Sequence, residues 1–260
     1  VKATRSSRTP RLYYDGKLQI HSELELSKRA SHHLVTVVRT KLNADIQLFN
    51  GDGFHYAARL IETGQQVAGK RARLEIYDRK AAVNESPIRV SLLQAISRGD
   101  KMDHSLRQSV ELGVTHIQPL YSRHSVKTLD TKRTEKKMEH WLNIITSACE
   151  QSGRAYVPSL AMPATLNEWL DNDDKTALNL VLSPTASTSL PECIQNQRST
   201  VPALGVMIGP ESGFDDDEIQ QAVDAGFNAV RFGQRILRTE TAGPACIAVV
   251  QTLLGDMGRK

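Results

Sequence analysis

Cysteine is scarce. The 260 residues hold three, Cys149, Cys193 and Cys246, far apart, with no Cys-x-x-Cys pair and no histidine at ligand spacing. That argues against a disulfide framework and a zinc site and fits a reducing, cytoplasmic setting. His32 and His33 are adjacent but lack a third ligand, so no metal is expected. Long apolar runs are missing too. The longest, from Pro244 to Leu254, is about half of the roughly 20 residues a bilayer span needs, which argues against a membrane partner. No Gly-x-Gly-x-x-Gly follows a strand, which removes a Rossmann-type oxidoreductase. The start carries Lys2, Arg5, Arg8 and Arg11 without the apolar stretch of a secretory signal; it reads as a frayed basic tail in preference to a trimmed transit peptide.

What is present suffices for one large core or two modest ones, with 40% apolar and 24% charged residues. The net charge of +4 is unevenly placed: residues 1–80 hold 15 Lys+Arg against 8 Asp+Glu, an excess of seven, whereas residues 81–260 hold 18 against 21. A polyanion-binding module joined to a second domain has that asymmetry. Leu12 to Tyr14 and short apolar pieces at Leu18–Ile20 and Leu24–Leu26 precede a helix over Ser27–Arg39 with Ala30, Leu34, Val37 and Val38 on one side. The period then changes to two, and Gly51-Asp52-Gly53 marks a hairpin between Asp45–Asn50 and Phe54–Ile61. Gly69 to Tyr77 alternates as well. A small β-rich domain over residues 1–82 follows, with a turn cluster at Asn84 to Pro87.

The second part, residues 83–260, alternates buried strands and helices, the pattern of an α/β class. Strands are expected at Ile88–Ile96, Thr115–Leu120, Leu178–Leu182, Ala203–Ile208 and Asn228–Phe232. Helices are expected at Lys101–Leu112, Thr131–Ser152 and Thr165–Leu170. In the long helix Met138, Trp141, Leu142, Ile145, Ala148 and Cys149 form one stripe, and Gly153 stands where a helix-ending glycine belongs. Asp171 to Lys175 form an acidic loop.

The chain is organised around its C-terminal stretch. The strand ending at Ile208 breaks into Gly209-Pro210-Glu211-Ser212-Gly213, and a helix follows, capped by Asp215 with Glu218 three residues on and stopped by Gly226. The next strand breaks at Gly233 into a polar loop to Thr241, before a helix opened by Pro244. Two strand ends about 24 residues apart with one helix between them place both loops at one sheet edge, where ligands bind. Asp215, Asp216, Asp217 and Glu218 occupy the helix start a phosphate would need, so the ligand is not a polyphosphate. An adenosine carrying a cationic centre is compatible.

These residues closely resemble the RsmE family, ribosomal RNA uridine-N3 methyltransferases of the SPOUT superfamily. The resemblance rests on Gly209-Pro210-Glu211-x-Gly213, on Gly233-x-Arg235-Ile236-Leu237-Arg238-x-Glu240-Thr241-Ala242, and on Ser97 to Met102, Glu111 to Val114 and Glu150 to Arg154. Ser212 departs from the family's usual glycine. The resemblance implies an N-terminal PUA-like β-barrel that binds RNA and a C-terminal trefoil-knotted α/β methyltransferase domain. It also implies S-adenosylmethionine as methyl donor, a homodimer, and small-subunit ribosomal RNA or the assembled subunit as partner. It places the cofactor against Leu182, Ser183, Met207, Ile208, Gly209, Pro210, Glu211, Gly213, Phe232, Gly233, Ile236, Leu237, Arg238, Thr241 and Ala242. Arg154, Arg11, Glu150, Arg238 and Glu240 become the candidates near methyl transfer, with the proton acceptor left open between Glu150 and Glu240. Arg8 is a weaker companion of Arg11. The other reading is a non-catalytic RNA-binding or ribosome-assembly factor that keeps the cofactor fold.

Overall fold

The computed structural model describes residues 9–64, 71–125, 130–171, 176–196 and 201–258. Lys2, Arg5, Arg8, Gly69 and residues 172–175 lie outside them. The chain divides into two units, one comprising Val1–Asn84 with Cys149–Val157 and the other Glu85–Ala148 with Pro158–Lys260. The first unit thus extends two residues past the expected boundary and takes in the last turn of the long helix.

In the first unit, β1 (Arg11–Tyr13), β2 (Ser22–Glu25), β3 (Asp45–Phe49), β4 (Phe54–Glu62) and β5 (Arg73–Ala81) form a sheet in the order β1-β3-β4-β5-β2. Only the β1–β3 pair is parallel. Alternation along β4 sends Tyr56, Ala58 and Leu60 into a core with Leu12, Leu48, Leu74 and Ile76. Irregularities at Ala57/Ala58 and Leu60/Glu62 bend the β4–β5 ladder over that core. Strand β2 lies just after the expected Leu18–Ile20 piece.

The helix expected over Ser27–Arg39 is short. After α1 (Lys28–His32), capped by the Ser27 hydroxyl, the turn widens over His33–Val37, with Val38 N–H donating to His33 O at 2.9 Å. Widening rotates the next side chains, so Leu34 and Val35 point inward while Val37 and Val38 stand outward, 60% and 43% exposed. The expected apolar face therefore fails at its C-terminal end.

The second unit has an all-parallel sheet in the order β12-β10-β11-β6-β7-β8. Its strands are β6 (Arg89–Ala95), β7 (His116–Tyr121), β8 (Ser159–Leu160), β9 (Ala164–Thr165, beside β7), β10 (Leu178–Leu182), β11 (Ala203–Ile208) and β12 (Asn228–Val230). Such a sheet is covered on both faces, and β11 is buried at every position. Helices α2 (Lys101–Glu111), α3 (Thr131–Ser152), α4 (Leu166–Leu170), α5 (Leu190–Gln195), α6 (Asp216–Asp224) and α7 (Thr239–Leu253) complete it. In α3, Trp141, Ile145, Ala148 and Cys149 are buried, but Leu142 is exposed. At 3.6 residues per turn it falls about 100° round the helix from Trp141, off the buried stripe.

Helix α7 begins five residues before Pro244. Thr241 N–H and Ala242 N–H both donate to Arg238 O, at 2.9 and 2.8 Å, closing the first turn, and Pro244 sits inside the helix. Strand β12 stops at Val230; Arg231 then bridges to Ser189, and Phe232 belongs to the loop.

Candidate active site

Strands β12, β10 and β11 are neighbours, and their C-terminal ends at Val230, Leu182 and Ile208 open onto one cavity of about 510 Å³. Its floor is Leu182, Ser183 and Pro184. One wall is Ile208 to Gly213, and the other runs from Arg231 to Leu237 with Thr239 and Ala242. Of the expected cofactor residues, Met207, Arg238 and Thr241 do not line it. Met207 packs fully buried in the core, Arg238 is exposed, and Thr241 lies on the outer face of α7. Pro184, Ser212, Arg231, Gln234, Arg235 and Thr239 also line it; the expected cofactor set leaves them out, although Ser212 and Arg235 stand in the two loop motifs.

The first wall is a tight turn closed by Gly213 N–H donating to Pro210 O at 2.9 Å. Gly213 takes φ +79°, whereas Ser212 does not enter the left-handed region, so the serine is accommodated without backbone strain. Gly209 is required for a different reason: a Cβ there would lie 2.8 Å from Phe214 N and 2.9 Å from Gly213 C. A side chain would push the turn open.

A buried polar chain holds both walls. The Ser105 hydroxyl donates to Gln94 Oε1 at 2.8 Å, Gln94 Nε2 donates to Thr239 Oγ1 at 3.0 Å, and the Thr239 hydroxyl donates to Gly209 O at 2.7 Å. Gln94 and Ser105 are buried, and the bond at each end of the amide fixes its orientation. The sequence signal is a glutamine set between two apolar pairs, Leu92-Leu93 and Ala95-Ile96.

The start of α6 satisfies its own amides. Asp215 Oδ1 accepts from Glu218 N–H at 2.9 Å, and Glu218 Oε2 accepts from Asp215 N–H at 3.1 Å. Arg123, unnoticed in the sequence, donates from its backbone to Glu218 Oε1 at 2.8 Å and from Nη1 to Asp215 Oδ2 at 2.6 Å. The expected acidic capping box is present, and it leaves no bare helix end for a phosphate.

Beside the turn, Glu211 Oε1 accepts from Arg98 N–H at 2.9 Å and from Lys101 Nζ at 3.2 Å. Burial pushes its pKa up, but the N–H groups of Arg98 and Glu211 and the Lys101 ammonium outweigh it, so the carboxyl titrates below its ordinary value. At the first turn of α7, Arg238 Nη1 stands 3.9 Å from Glu240 Oε1, while Glu240 Oε2 is buried with no hydrogen bond among the described residues.

The remaining candidates lie together in the first unit. Arg11 Nη1 donates to Cys149 O at 3.0 Å and Glu150 O at 3.3 Å, and its Nη2 donates to Arg154 O at 3.1 Å. Its guanidinium also stands over the Phe49 ring, 4.8 Å from the centroid. Arg11 thus caps the C-terminal end of α3, where helix carbonyls lack amide partners. Glu150 Oε1 accepts from Tyr13 N–H at 2.9 Å. Burial raises the Glu150 pKa, against opposing pulls from that N–H and from His33, Arg11 and Arg29. Arg154 is buried, not solvated at a helix end.

Cys246, four residues after Ala242 on α7, is wholly buried, and burial pushes its thiol up to about 12. Among the described residues no group of three His, Cys, Asp or Glu could hold a metal, and no helix is long and apolar enough to cross a membrane.

Residues 84–251 match the RNA methyltransferase domain family and residues 26–67 the RNA methyltransferase PUA domain family. A ribosomal RNA small subunit methyltransferase E from Buchnera aphidicola of Schizaphis graminum is 32% identical over 96% of this chain and 98% of its own. A crystal structure of that enzyme from Neisseria gonorrhoeae, bound to S-adenosyl methionine, has 40% identity and a TM-score of 0.84 over 96% of this chain and 99% of that one. A methyltransferase from Legionella pneumophila, in complex with the same cofactor, has 36% identity and a TM-score of 0.87 over 96% and 99%. The cavity suits such a ligand: Leu182, Ile208, Phe232, Ile236 and Leu237 offer apolar cover to an adenine ring, and Glu211 offers a carboxylate to a cationic centre. With this sheet order, this loop pair and these relatives, the chain belongs to the RNA methyltransferase family of the ribosomal RNA small subunit methyltransferase E proteins, in the SPOUT fold.

Proposed function

We propose that this protein transfers a methyl group from S-adenosylmethionine to N3 of a uridine in small-subunit ribosomal RNA. The observation that carries the reading is the cavity at three adjacent strand ends, bordered by the Gly209–Gly213 turn and the Gly233–Leu237 loop. Bound there, the cofactor supplies an electrophilic methyl on a sulfonium. The protein's tasks are to hold that centre, orient the uracil ring and let the N3 proton leave. No metal is needed for this chemistry.

Main-chain groups of the two loops hold the adenosine. Acidic Glu211 and the self-capped α6 favour a cationic centre over a phosphate. Arg154 serves the methyl-transfer step and not cofactor binding. Arg11 acts by locking the helix end that carries Glu150 and Arg154. Arg238 and Glu240 shape the first turn of α7. The basic N-terminal unit binds RNA phosphates, the chain works as a cytoplasmic homodimer, and the segment around β10, β11 and β12 threads as a trefoil.

The test is single-turnover methylation of small-subunit RNA and of assembled small subunits with labelled cofactor, the product identified by mass spectrometry. N3-methyluridine at one position is expected. Tight cofactor binding without transfer to either substrate would instead mark an assembly factor. Arg154→Ala should lower the rate by about 10²-fold or more with cofactor affinity unchanged.

A further inference from the structure

A second cavity, of about 600 Å³, adjoins the first. It is lined by Arg98, Gly99, Asp100, Lys101 and His124 and shares Glu211 and Ser212 with the cofactor cavity. Among the described residues no apolar side chain lines it, so it suits a polar ligand. The Arg98 side chain is exposed and, among the described residues, has no ion pair. Among the described residues, Glu211 is the one ionisable residue that borders both spaces. The clamp from Arg98 N–H and Lys101 Nζ falls on Oε1 and leaves Oε2 outside it.

We propose that the second cavity receives the target nucleotide and that Glu211 is a catalytic residue, its Oε2 accepting the uridine N3 proton. The inference rests on the proposed uridine-N3 reaction and deepens it. Neither Glu150, which accepts from Tyr13 N–H in the first unit, nor Glu240, which does not line the cofactor cavity, borders both spaces. In the step, N3 forms a bond to the methyl carbon, the carbon–sulfur pair returns to sulfur to leave a neutral thioether, and the N3 proton passes to Oε2. A carboxylate kept ionised is too weak a base to remove the proton beforehand. It receives it as the N–C bond forms and N3–H becomes strongly acidic, and the open groove then releases it to water. Arg98, Asp100, Lys101 and His124 line the groove with Glu211, and Arg231 and Arg235 line the cofactor cavity with it; against burial, the N–H groups of Arg98 and Glu211 and the Lys101 ammonium hold its carboxyl below the ordinary value.

Glu211→Gln in the full chain tests this, because the amide oxygen can still accept from Arg98 N–H. RNA affinity by titration should stay near wild type and cofactor affinity by calorimetry should fall only several-fold, from the loss of one charge beside the sulfonium, while the single-turnover rate at neutral pH and saturating cofactor falls by about 10²-fold or more. The variant's rate should then climb tenfold per pH unit as N3 ionises by itself, whereas the wild-type profile stays flat. Transcripts carrying 5-fluorouridine, with a more acidic N3–H, should recover much of the loss. Glu211→Asp, which keeps a carboxylate, should keep the flat profile. A variant rate near wild type, a loss that only follows cofactor affinity, or a slow rate with no rise at high pH would each overturn the assignment. If the wild-type protein itself makes no N3-methyluridine, the underlying reaction is what fails.

Discussion

At Gly209 the argument is one of space: a Cβ would sit within 3.0 Å of three backbone atoms of the following turn. Gly209→Val should therefore weaken S-adenosylmethionine binding severely in calorimetry, and unchanged affinity would move the pocket elsewhere. Glu150 supplies a test with a less familiar sign. Its folded pKa is raised, so the protonated form is favoured on folding, and the ionised form costs stability as pH rises from the ordinary carboxylate value through the folded one. Glu150→Gln, which can still accept from Tyr13 N–H, should raise the melting temperature at pH 7. The gain should disappear in acid below the ordinary carboxylate range. A melting temperature lowered at pH 7 would mean that the charge itself is stabilising.

The elements show why some of this was legible in advance. Helix α6 could be read almost to the residue, because Asp215, Glu218 and Gly226 are start and stop signals acting within a turn of where they stand. Buried strand β11 was equally plain as an unbroken apolar run, and β10 as one interrupted only by Asn179. Helix α7 was misplaced because Pro244 mimics a first-turn proline, whereas the true start is fixed by Thr239, whose partner Gln94 is 145 residues away. No local pattern announces such a pairing. Nor does any announce that Arg11 caps a helix end 138 residues later. Substituting Gln94 with leucine strips Ser105 and Thr239 of one partner each inside the core, at a cost of about 1–3 kcal/mol. Gln94→Leu should thus lower both melting temperature and cofactor affinity, although Gln94 does not line the cavity. Affinity equal to wild type would show that the turn holds its shape without the buried chain.

For the whole molecule, charge placement decides how RNA is met. Several arginines of the first unit are already paired: Arg59 with Asp45, Arg71 with Glu25 and Arg73 with Glu23. Arg39 and Lys41 are exposed and, among the described residues, carry no ion pair. Replacing both by glutamine should reduce RNA affinity and flatten its dependence on salt by about 1.4 to 1.8 in log–log slope, while replacing Arg59 and Arg71 should not. Equal effects of the two pairs would place the RNA elsewhere. Cysteine chemistry raises a different question, that of a protein living with its own reagent. A sulfonium methyl is an alkylating agent, and the softest nucleophile a chain can offer is a thiolate. Cys246 lies one helical turn beyond Ala242 of the cavity wall, on the same face of α7, and burial holds its thiol near 12. At neutral pH it is protonated, and closed packing keeps it from attack. The protein can therefore store an electrophile beside sulfur without alkylating itself, and its intact mass should stay constant through long incubation with the cofactor alone.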